Sequence, residues 1–235
     1  MERDYLIAGL RVRMDTFGRT EALAQPYCAL HGGEPDIHIC SQQEYCRAHR
    51  PDAPLDELEY MGTSRDFYTQ LLQHDGMALH ASAILVDGRA WLFSADSGVG
   101  KSTHRALWQQ VLGEDRVLII NDDKPALRRL DGQWYAYGTP WCGKEGLNRN
   151  LWAPVGGLCL LERGDTNAIA PYTADDLLFR LLRQTQPVQA CDALNHLLTL
   201  MDTLTKEVPI WRLRCTPTPE AALLAYRHMT GKANE

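Results

Sequence analysis

The residues with the clearest chemical meaning form a glycine-rich stretch between an apolar strand and a helix. It reads Ala95-Asp96-Ser97-Gly98-Val99-Gly100-Lys101-Ser102. This matches the phosphate-binding pattern G-x-x-x-x-G-K-[ST] at every position except the first, where Ala95 stands. Glycines let backbone amides approach phosphate oxygens, and the start of the following helix adds its positive dipole end. The stretch therefore predicts a site for the phosphates of a nucleotide.

The side chains of this stretch also have expected roles. Lys101 can reach the outer phosphates, and Ser102 can offer its hydroxyl to Mg²⁺. The structural alternative is a chance turn that caps a helix, which the full pattern in a strand-to-helix context disfavours. The residues expected to bind the nucleotide are Asp96, Ser97, Gly98, Val99, Gly100, Lys101, Ser102 and Thr103.

Two adjacent carboxylates, Asp122 and Asp123, follow a buried strand predicted over residues 117–120. Sites in α/β proteins collect ligands at strand ends. One carboxylate could hold Mg²⁺, directly or through water, while the other accepts the proton of an attacking hydroxyl. The alternative is a strand-end turn with solvated acids, because Asn-Asp-Asp also suits turns.

A segment over residues 137–146 carries three glycines, an aromatic residue and adjacent opposite charges. Such a composition suits a mobile lid over phosphates or a substrate. The alternative is a structural connection in which the tryptophan is buried as a plug. A nucleophilic role for Cys142 finds no histidine at motif spacing. The substrate-loop residues expected here are Trp141, Gly143, Lys144 and Glu145.

Hydrophobic periodicity indicates strands alternating with helices, interrupted by hairpins, and so predicts an α/β fold with a mixed sheet. Two Asp-Gly dipeptides, at residues 87–88 and 131–132, predict hairpin turns. Strands are predicted over 5–14, 36–40, 77–86, 90–94, 117–120, 125–129, 133–137, 158–161 and 210–214. Helices are predicted over 64–74, 103–112, 175–183, 191–204 and 219–229.

A polar, turn-like stretch at residues 49–54 is the best candidate for a boundary. We therefore expect a small strand-rich N-terminal region over residues 1–60 and a catalytic domain over residues 61–235. The length of 235 residues suits one large domain, or one domain with a smaller piece attached.

Composition excludes several classes of function. The chain has 24 Lys and Arg against 30 Asp and Glu, a net charge of −6, so it lacks a generally basic footprint for nucleic acid or anionic lipid. No stretch approaches the roughly 20 apolar residues of a membrane span. Seven scattered cysteines, an odd number, disfavour a disulfide framework. We expect a cytoplasmic protein with neither nucleic acid nor membrane as its partner.

Together these residues resemble the catalytic domain of the HPr kinase/phosphorylase family. The resemblance depends on residues 96–102, on His80 placed 15 positions before Ala95, and on Asp122-Asp123. His80 lies on the first strand of the hairpin that leads into the glycine-rich stretch; alone, it would be an ordinary core histidine. The likeness covers residues 77–123 well and extends more weakly to residue 161. The chain departs from the family at Ala95, at Ala81 in place of a glycine, over residues 138–145 and in its shorter N-terminal region.

The resemblance implies a mixed-sheet P-loop kinase core of the type shared with phosphoenolpyruvate carboxykinases. It implies transfer of the γ-phosphoryl group of ATP, with Mg²⁺, to a hydroxyl of a peptide, a protein or a small metabolite. Lys101 would clamp phosphates, Asp122 would be the general base, and His80 would act as an electrostatic or positioning group. Ser102 and Asp123 would be the metal partners. The resemblance is also compatible with a homo-oligomer, and the shorter chain argues against HPr itself as the substrate.

Two other functions remain open at this point. A nucleotide-binding regulator or ATPase would bind ATP without phosphorylating an acceptor, and Ala95 together with the unmatched substrate loop favours it. A carboxykinase-type enzyme acting on an oxo acid would need a Lys and a His placed for Mn²⁺ on separate strands, which no motif supplies.

Overall fold

A computed structural model describes residues 2–40 and 43–232 of the chain. The strands are β1 (Arg3–Ile7), β2 (Leu10–Met14), β3 (Ile37–Ile39), β4 (Gly76–Ala78), β5 (Ala81–Val86), β6 (Arg89–Ser94), β7 (Leu118–Asn121), β8 (Ala126–Leu130), β9 (Gln133–Tyr137), β10 (Trp152–Arg163), β11 (Ala168–Pro171) and β12 (Ile210–Cys215). The α-helices are α1 (Gly18–Ala24), α2 (Gln43–His49), α3 (Leu55–Leu71), α4 (Lys101–Leu112), α5 (Leu177–Leu182), α6 (Cys191–Glu207) and α7 (Pro219–Thr230).

The strands form two sheets. The small sheet has the order β1-β2-β3, with β1 and β2 antiparallel and β3 parallel to β2. The large sheet has the order β4-β8-β9-β10-β6-β5-β7, and β12 pairs with β10 and with β11. Because β6 and β12 run parallel to β10 while the hairpins are antiparallel, the predicted mixed α/β architecture is confirmed.

The long strand β10 connects the two parts of the large sheet. Its first residues, 152–154, pair antiparallel with β9, and its later residues pair parallel with β6 and β12. The register shifts between Val155 and Gly157. A Cβ atom at Gly157 would lie 2.3 Å from the ring of Trp211, and one at Gly156 would lie 2.8 Å from Trp91. Glycine is therefore required where the strand changes partners.

Helices cover both faces of this sheet, and the alternation of side chains along β6 and β10 explains why. Leu92 and Leu160 face one way and pack in a cluster with residues of α5 and α6. Phe93 and Leu161 face the other way and pack with residues of α4 and α7, including Trp108. Within the described residues, no helix combines the length and the apolar character that crossing a membrane requires.

The N-terminal region packs against the rest of the chain through one shared apolar cluster. Tyr5 and Ile37 from the small sheet lie in the same cluster as Tyr137 and Trp141. The predicted turn at residues 49–54 separates α2 from α3, but the expected boundary after residue 60 falls inside α3. The division into two domains stays a prediction.

Several predicted elements need correction. Residues 5–14 are not one strand: Ala8 and Gly9 turn with φ of +54° and +74°, and β1 pairs with β2 as a hairpin. The predicted strand over residues 77–86 is two strands, because β4 pairs with β8 whereas β5 pairs with β6 and β7. The predicted helix over residues 64–74 begins earlier, at Leu55. The helices α1 and α2 and the strand β11 were not predicted.

Candidate active site

The glycine-rich stretch forms the connection between β6 and α4, as predicted. Gly98 and Gly100 have φ of +77° and +126°, which the absence of a side chain allows. Ala95 is buried and has no positive φ, so the departure from the motif at this position places no strain on the backbone. Arg163 of β10 donates a hydrogen bond to the carbonyl oxygen of Gly98, and this bond connects the loop to the end of β10.

The amine of Lys101 lies across the loop. Its Nζ donates to the carbonyl oxygen of Ala95 at 2.9 Å. Burial lowers the pKa of Lys101, and the carboxylates of Asp123 and Asp122 oppose this shift. A half-buried cation at the first turn of a helix is thus held next to two acids.

Asn121 builds the turn that carries these acids. Its side chain is fully buried, and its Oδ1 accepts hydrogen bonds from the backbone amides of Asp123 and Lys124, at 2.9 and 2.7 Å. Its Nδ2 donates to the carbonyl oxygen of Thr139 at 3.1 Å. The turn interpretation is therefore correct for Asn121, but the side chain of Asp122 is only 3% exposed and is not solvated.

The carboxylate of Asp122 has a partner for each oxygen. Ser82 Oγ donates to Oδ1, and an amino group of Arg105 lies 3.2 Å from Oδ2. The same group of Arg105 also lies 3.2 Å from Glu145. Sequence reasoning missed Arg105, although its position four residues after Lys101 on α4 places both cations on one helix face.

Asp123 has different partners and faces His80. Its Oδ1 lies 3.3 Å from His80 Nε2, and its Oδ2 lies 2.9 Å from Lys124 Nζ. Burial raises the pKa of Asp123, but the contacts with His80 and Lys124 outweigh it and lower the value to about 2. Asp123 is therefore an ionised carboxylate between two basic groups.

His80 lies in the connection between β4 and β5, whereas the sequence placed it on a strand. Gln184, which the sequence analysis did not identify, positions it. The backbone amide of His80 donates to the carbonyl oxygen of Gln184 at 2.6 Å, and Nδ1 lies 3.0 Å from Gln184 Oε1. The Nε2 of Gln184 donates to Asp96 at 2.8 Å. Asp96 belongs to the glycine-rich loop, so this buried amide connects His80 to that loop.

The predicted substrate loop has two parts, a fixed stem at residues 141–143 and an exposed tip at residues 144–145. Trp141 is fully buried; it stacks on Phe67 with 4.8 Å between the ring centroids, and its Nε1 donates to Thr63. The plug alternative is thus correct for Trp141, and a role of this residue against substrate was wrong. Lys144 and Glu145 are exposed. Burial raises the pKa of Cys142 to about 11, which keeps that residue a thiol.

Residues of the N-terminal region hold the stem in place, which the sequence did not indicate. Arg19 of α1 donates to the carbonyl oxygen of Gly143, and its guanidinium lies 4.3 Å from the centre of the Tyr60 ring. The amide of Gly143 donates to the Tyr60 hydroxyl at 3.1 Å. A Cβ atom at Gly143 would lie 3.0 Å from Asp123 Cβ, so the stem touches the acidic turn.

Most of the predicted site residues meet in one cleft of about 440 Å³. Three predicted residues do not line this cleft: Trp141 is in the core, and Asp96 and Val99 face neighbouring cavities. No group of three or more His, Cys, Asp or Glu side chains that could hold a metal ion occurs in the described part of the chain. The cleft is lined by His80, Ser97, Gly98, Gly100, Lys101, Ser102, Thr103, Asp122, Asp123, Cys142, Gly143, Lys144 and Glu145.

Comparison with known proteins gives a distant structural similarity. No protein-family model and no curated protein matches the chain. Among solved structures, the chain is similar to the Hpr(Ser) kinase/phosphatase from Coxiella burnetii, with 15% sequence identity and a TM-score of 0.38. The match covers 66% of this chain and 88% of that one.

Proposed function

We propose that the protein is a phosphotransferase that moves the γ-phosphoryl group of ATP to a hydroxyl group. The observation that carries the proposal is the meeting of Lys101, in a glycine-rich loop at a helix N-terminus, with the His80–Asp123 pair in one cleft. We further take the large sheet and its loop to be a P-loop kinase core of the HPr kinase and phosphoenolpyruvate carboxykinase type. The acceptor is a hydroxyl of a peptide, a protein or a small metabolite.

Phosphate binding would use the backbone and Lys101. The amides at the start of α4 and the positive end of the helix favour an anion in front of the loop. Lys101 now donates to a carbonyl oxygen of its own loop, and a phosphate oxygen is a stronger partner for an ammonium group than a neutral carbonyl. The exposed Lys144 at the loop tip also lines the cleft and would add a second positive charge.

The donor groups of the cleft fit Mg²⁺ as P-loop proteins use it. Mg²⁺ takes one or two protein oxygens and completes its shell with phosphate oxygens and water, so a cage of three or more protein ligands is not needed. The hydroxyl of Ser102 and the carboxylate of Asp123 would hold it. When bound, it would neutralise charge on the phosphates.

Exposure favours Asp123 over Asp122 as the group that orients the acceptor hydroxyl, so that one oxygen of Asp123 would hold the metal and the other would face the hydroxyl. The side chain of Asp122 is only 3% exposed, and its partners Ser82 and Arg105 are buried with it. Asp123 is more exposed, and it faces His80 within the cleft. Asp122 would instead hold Arg105, and through it the tip of the substrate loop, in place. The base role of Asp122 stays a prediction that a direct comparison of the two carboxylates tests.

A nucleotide-binding protein without an acceptor is the second candidate, and one observation favours it. The Asp123 carboxylate already contacts both His80 and Lys124, so an acceptor hydroxyl has to compete with these groups. Such a protein would bind or hydrolyse ATP without transferring its γ-phosphoryl group to an acceptor.

The first test is transfer from γ-labelled ATP, with Mg²⁺, into a host lysate divided into macromolecular and small-molecule fractions. Label in either fraction is expected, and the fraction identifies the acceptor class. Lys101→Ala should abolish the label, because it removes a charge that faces the phosphates. Lys206→Ala, an exposed lysine of α6 far along the chain from the loop, is the matched control and should label normally.

Ligand-induced stabilisation separates binding from transfer. ATP at 100 times its Kd should raise the free energy of unfolding of the wild type by about 2.7 kcal/mol. If Lys101→Ala is stabilised by ATP as much as the wild type, the phosphate-clamping role of Lys101 is wrong. Stabilisation of the wild type without label in either fraction would favour the nucleotide-binding protein that lacks an acceptor.

A further inference from the structure

We name the cleft that contains Lys101, Asp122 and Asp123 the phosphate cleft. A second cavity, of about 630 Å³, borders this cleft at the glycine-rich loop. The two share Gly98, Gly100 and Thr103 as lining residues. We name this second cavity the side cavity. Its remaining walls come from α4, from the end of β10 and the turn after it, and from residues 215–217. Its volume is in the range of small-molecule sites, which is roughly 300–1,000 Å³.

The residues that line both cavities indicate which way round a nucleotide would lie in the phosphate cleft. Lys101, Asp122 and Asp123 line only the phosphate cleft, whereas the loop glycines and Thr103 line both spaces. In a phosphate-binding loop, the backbone amides cradle the inner phosphates and the lysine reaches the outer ones. A triphosphate whose outer end lies near the carboxylates therefore has its inner end at the edge shared with the side cavity.

The chemistry of the side cavity suits a nucleoside. Leu107 and Leu161 offer apolar surface for the face of a base. The guanidinium of Arg163 is held against the Gly98 carbonyl at the cavity wall, where its plane can stack on an aromatic ring. Asp165 and Thr216 supply polar groups at the far wall, and a carboxylate accepts hydrogen bonds from the amino group of a purine.

A third cavity, of about 520 Å³ beside α5, does not meet these requirements. Among the described residues it shares no lining residue with the phosphate cleft. Asp96 and Gln184, which are joined by a hydrogen bond, line this third cavity and not the phosphate cleft. The side cavity shares three loop residues with the phosphate cleft and is therefore the more direct continuation of that cleft.

We propose that the side cavity binds the purine nucleoside of the phosphate donor, with Leu107, Leu161 and Arg163 around the base. This inference rests on the proposed function, because it requires nucleotide phosphates at the glycine-rich loop. It adds that the nucleoside contributes affinity of its own through a defined set of residues.

The test compares ATP with inorganic tripolyphosphate, each with Mg²⁺, by titration calorimetry. The wild type should bind ATP at least ten times more tightly than tripolyphosphate. Leu107→Trp fills the side cavity from α4 and should weaken ATP binding to the level of tripolyphosphate, while the Kd for tripolyphosphate changes less than twofold. Asp165→Trp, at an exposed position on another wall, should act in the same direction. Gln110→Trp, exposed on the same helix and lining none of these cavities, is the control and should leave both affinities unchanged.

The outcomes separate the two proposals. If the wild type binds both compounds equally, or if both cavity-filling variants keep the wild-type preference for ATP, the side cavity is not the nucleoside site and the phosphate site stands. If both variants lose tripolyphosphate as well while Gln110→Trp does not, the inference also fails, because the cavity then affects the phosphates. Wild-type protein that binds neither compound would overturn the proposed function itself.

Discussion

Asp122 and Asp123 are neighbours in the chain, yet they have different partners in the structure. Asp122 is buried beneath Ser82 and Arg105, and Asp123 lies between His80 and Lys124 at the cleft. The Asn121 turn produces this difference, since it directs the two consecutive side chains to different surroundings. A carboxylate that already neutralises a buried guanidinium is a structural group, whereas one that faces an open cleft can meet a substrate.

Asparagine substitutions should separate these two roles. Asp123→Asn should lower phosphoryl transfer about 100-fold, within the range for a positioned acid–base group, and lower the free energy of unfolding by about 1–2 kcal/mol, because the contacts with His80 and Lys124 weaken. Asp122→Asn should lower that free energy by about 3 kcal/mol, because it leaves Arg105 buried with weaker pairing. Chemical denaturation and transfer assays on both variants would check this. Wild-type transfer by Asp123→Asn together with loss of transfer by a stably folded Asp122→Asn would restore Asp122 as the base.

At the scale of elements, the segment between β9 and β10 joins the core to the cleft. Its stem is fixed by Trp141 in an aromatic cluster with Phe67 and Tyr68, and its tip presents Lys144 and Glu145. Any motion that opens or closes the cleft is therefore confined to the tip unless the aromatic cluster opens. The composition predicted a lid over the ten residues 137–146, whereas only Lys144 and Glu145 of this range are exposed.

A substitution in the stem should mainly affect stability, and a substitution in the tip should mainly affect ATP binding. Trp141→Ala removes a fully buried indole and should lower the free energy of unfolding by about 3–5 kcal/mol. Lys144→Ala should change that free energy by less than about 0.5 kcal/mol, since the residue is exposed, and should raise the KM for ATP. Denaturant titration and steady-state kinetics would measure the two effects. A stable Trp141→Ala protein would contradict the anchoring role of the stem.

Local signals in the sequence account for the elements that were predicted correctly. The turns at Asp87-Gly88 and Asp131-Gly132 have positive φ at both residues, and their hairpins form where the dipeptides indicate. The first half of β10 was missed because Pro154 and two glycines interrupt its apolar run, and only the packing of Trp91 and Trp211 explains those glycines. The turn at Ala8 was missed because alanine rarely adopts positive φ.

The contrast between local sequence signals and tertiary packing also applies to the candidate site. Local spacing singled out most of the loop residues and both carboxylates that line the cleft, and the family resemblance added His80. Arg19, Tyr60 and Gln184 reach the site from distant parts of the sequence, so no local pattern identifies them. Tertiary packing decides their positions.

At the scale of the whole molecule, a buried acid joins the N-terminal region to α3. Glu59 is fully buried, and Thr20 of α1 donates a hydrogen bond to one of its oxygens. Burial raises the pKa of Glu59 to about 7, against the smaller effect of the Thr20 hydroxyl. We therefore expect the contact between these two helices to depend on pH near neutrality.

The free energy of unfolding should fall as the pH rises from about 4.5 to 7. Over that range the folded protein retains the Glu59 proton that the unfolded chain releases, so each step upward in pH favours unfolding. Glu59→Gln should flatten this dependence and make the protein more stable than the wild type at pH 8, by up to about 3 kcal/mol. Denaturant titrations of both proteins at pH 5, 6.5 and 8 would measure the difference. Parallel pH profiles for the two proteins would show that Glu59 is ionised throughout.

The strand β10 has a consequence for how the molecule comes apart. It supplies the hydrogen-bonding partner of β9 at one end and of both β6 and β12 at the other. Neither part of the large sheet can separate from the other while this strand keeps its pairing, so the parts unfold as one cooperative unit. The backbone amides of residues 158–160, which lie between two parallel neighbours, then exchange their hydrogens with solvent only when the whole sheet opens.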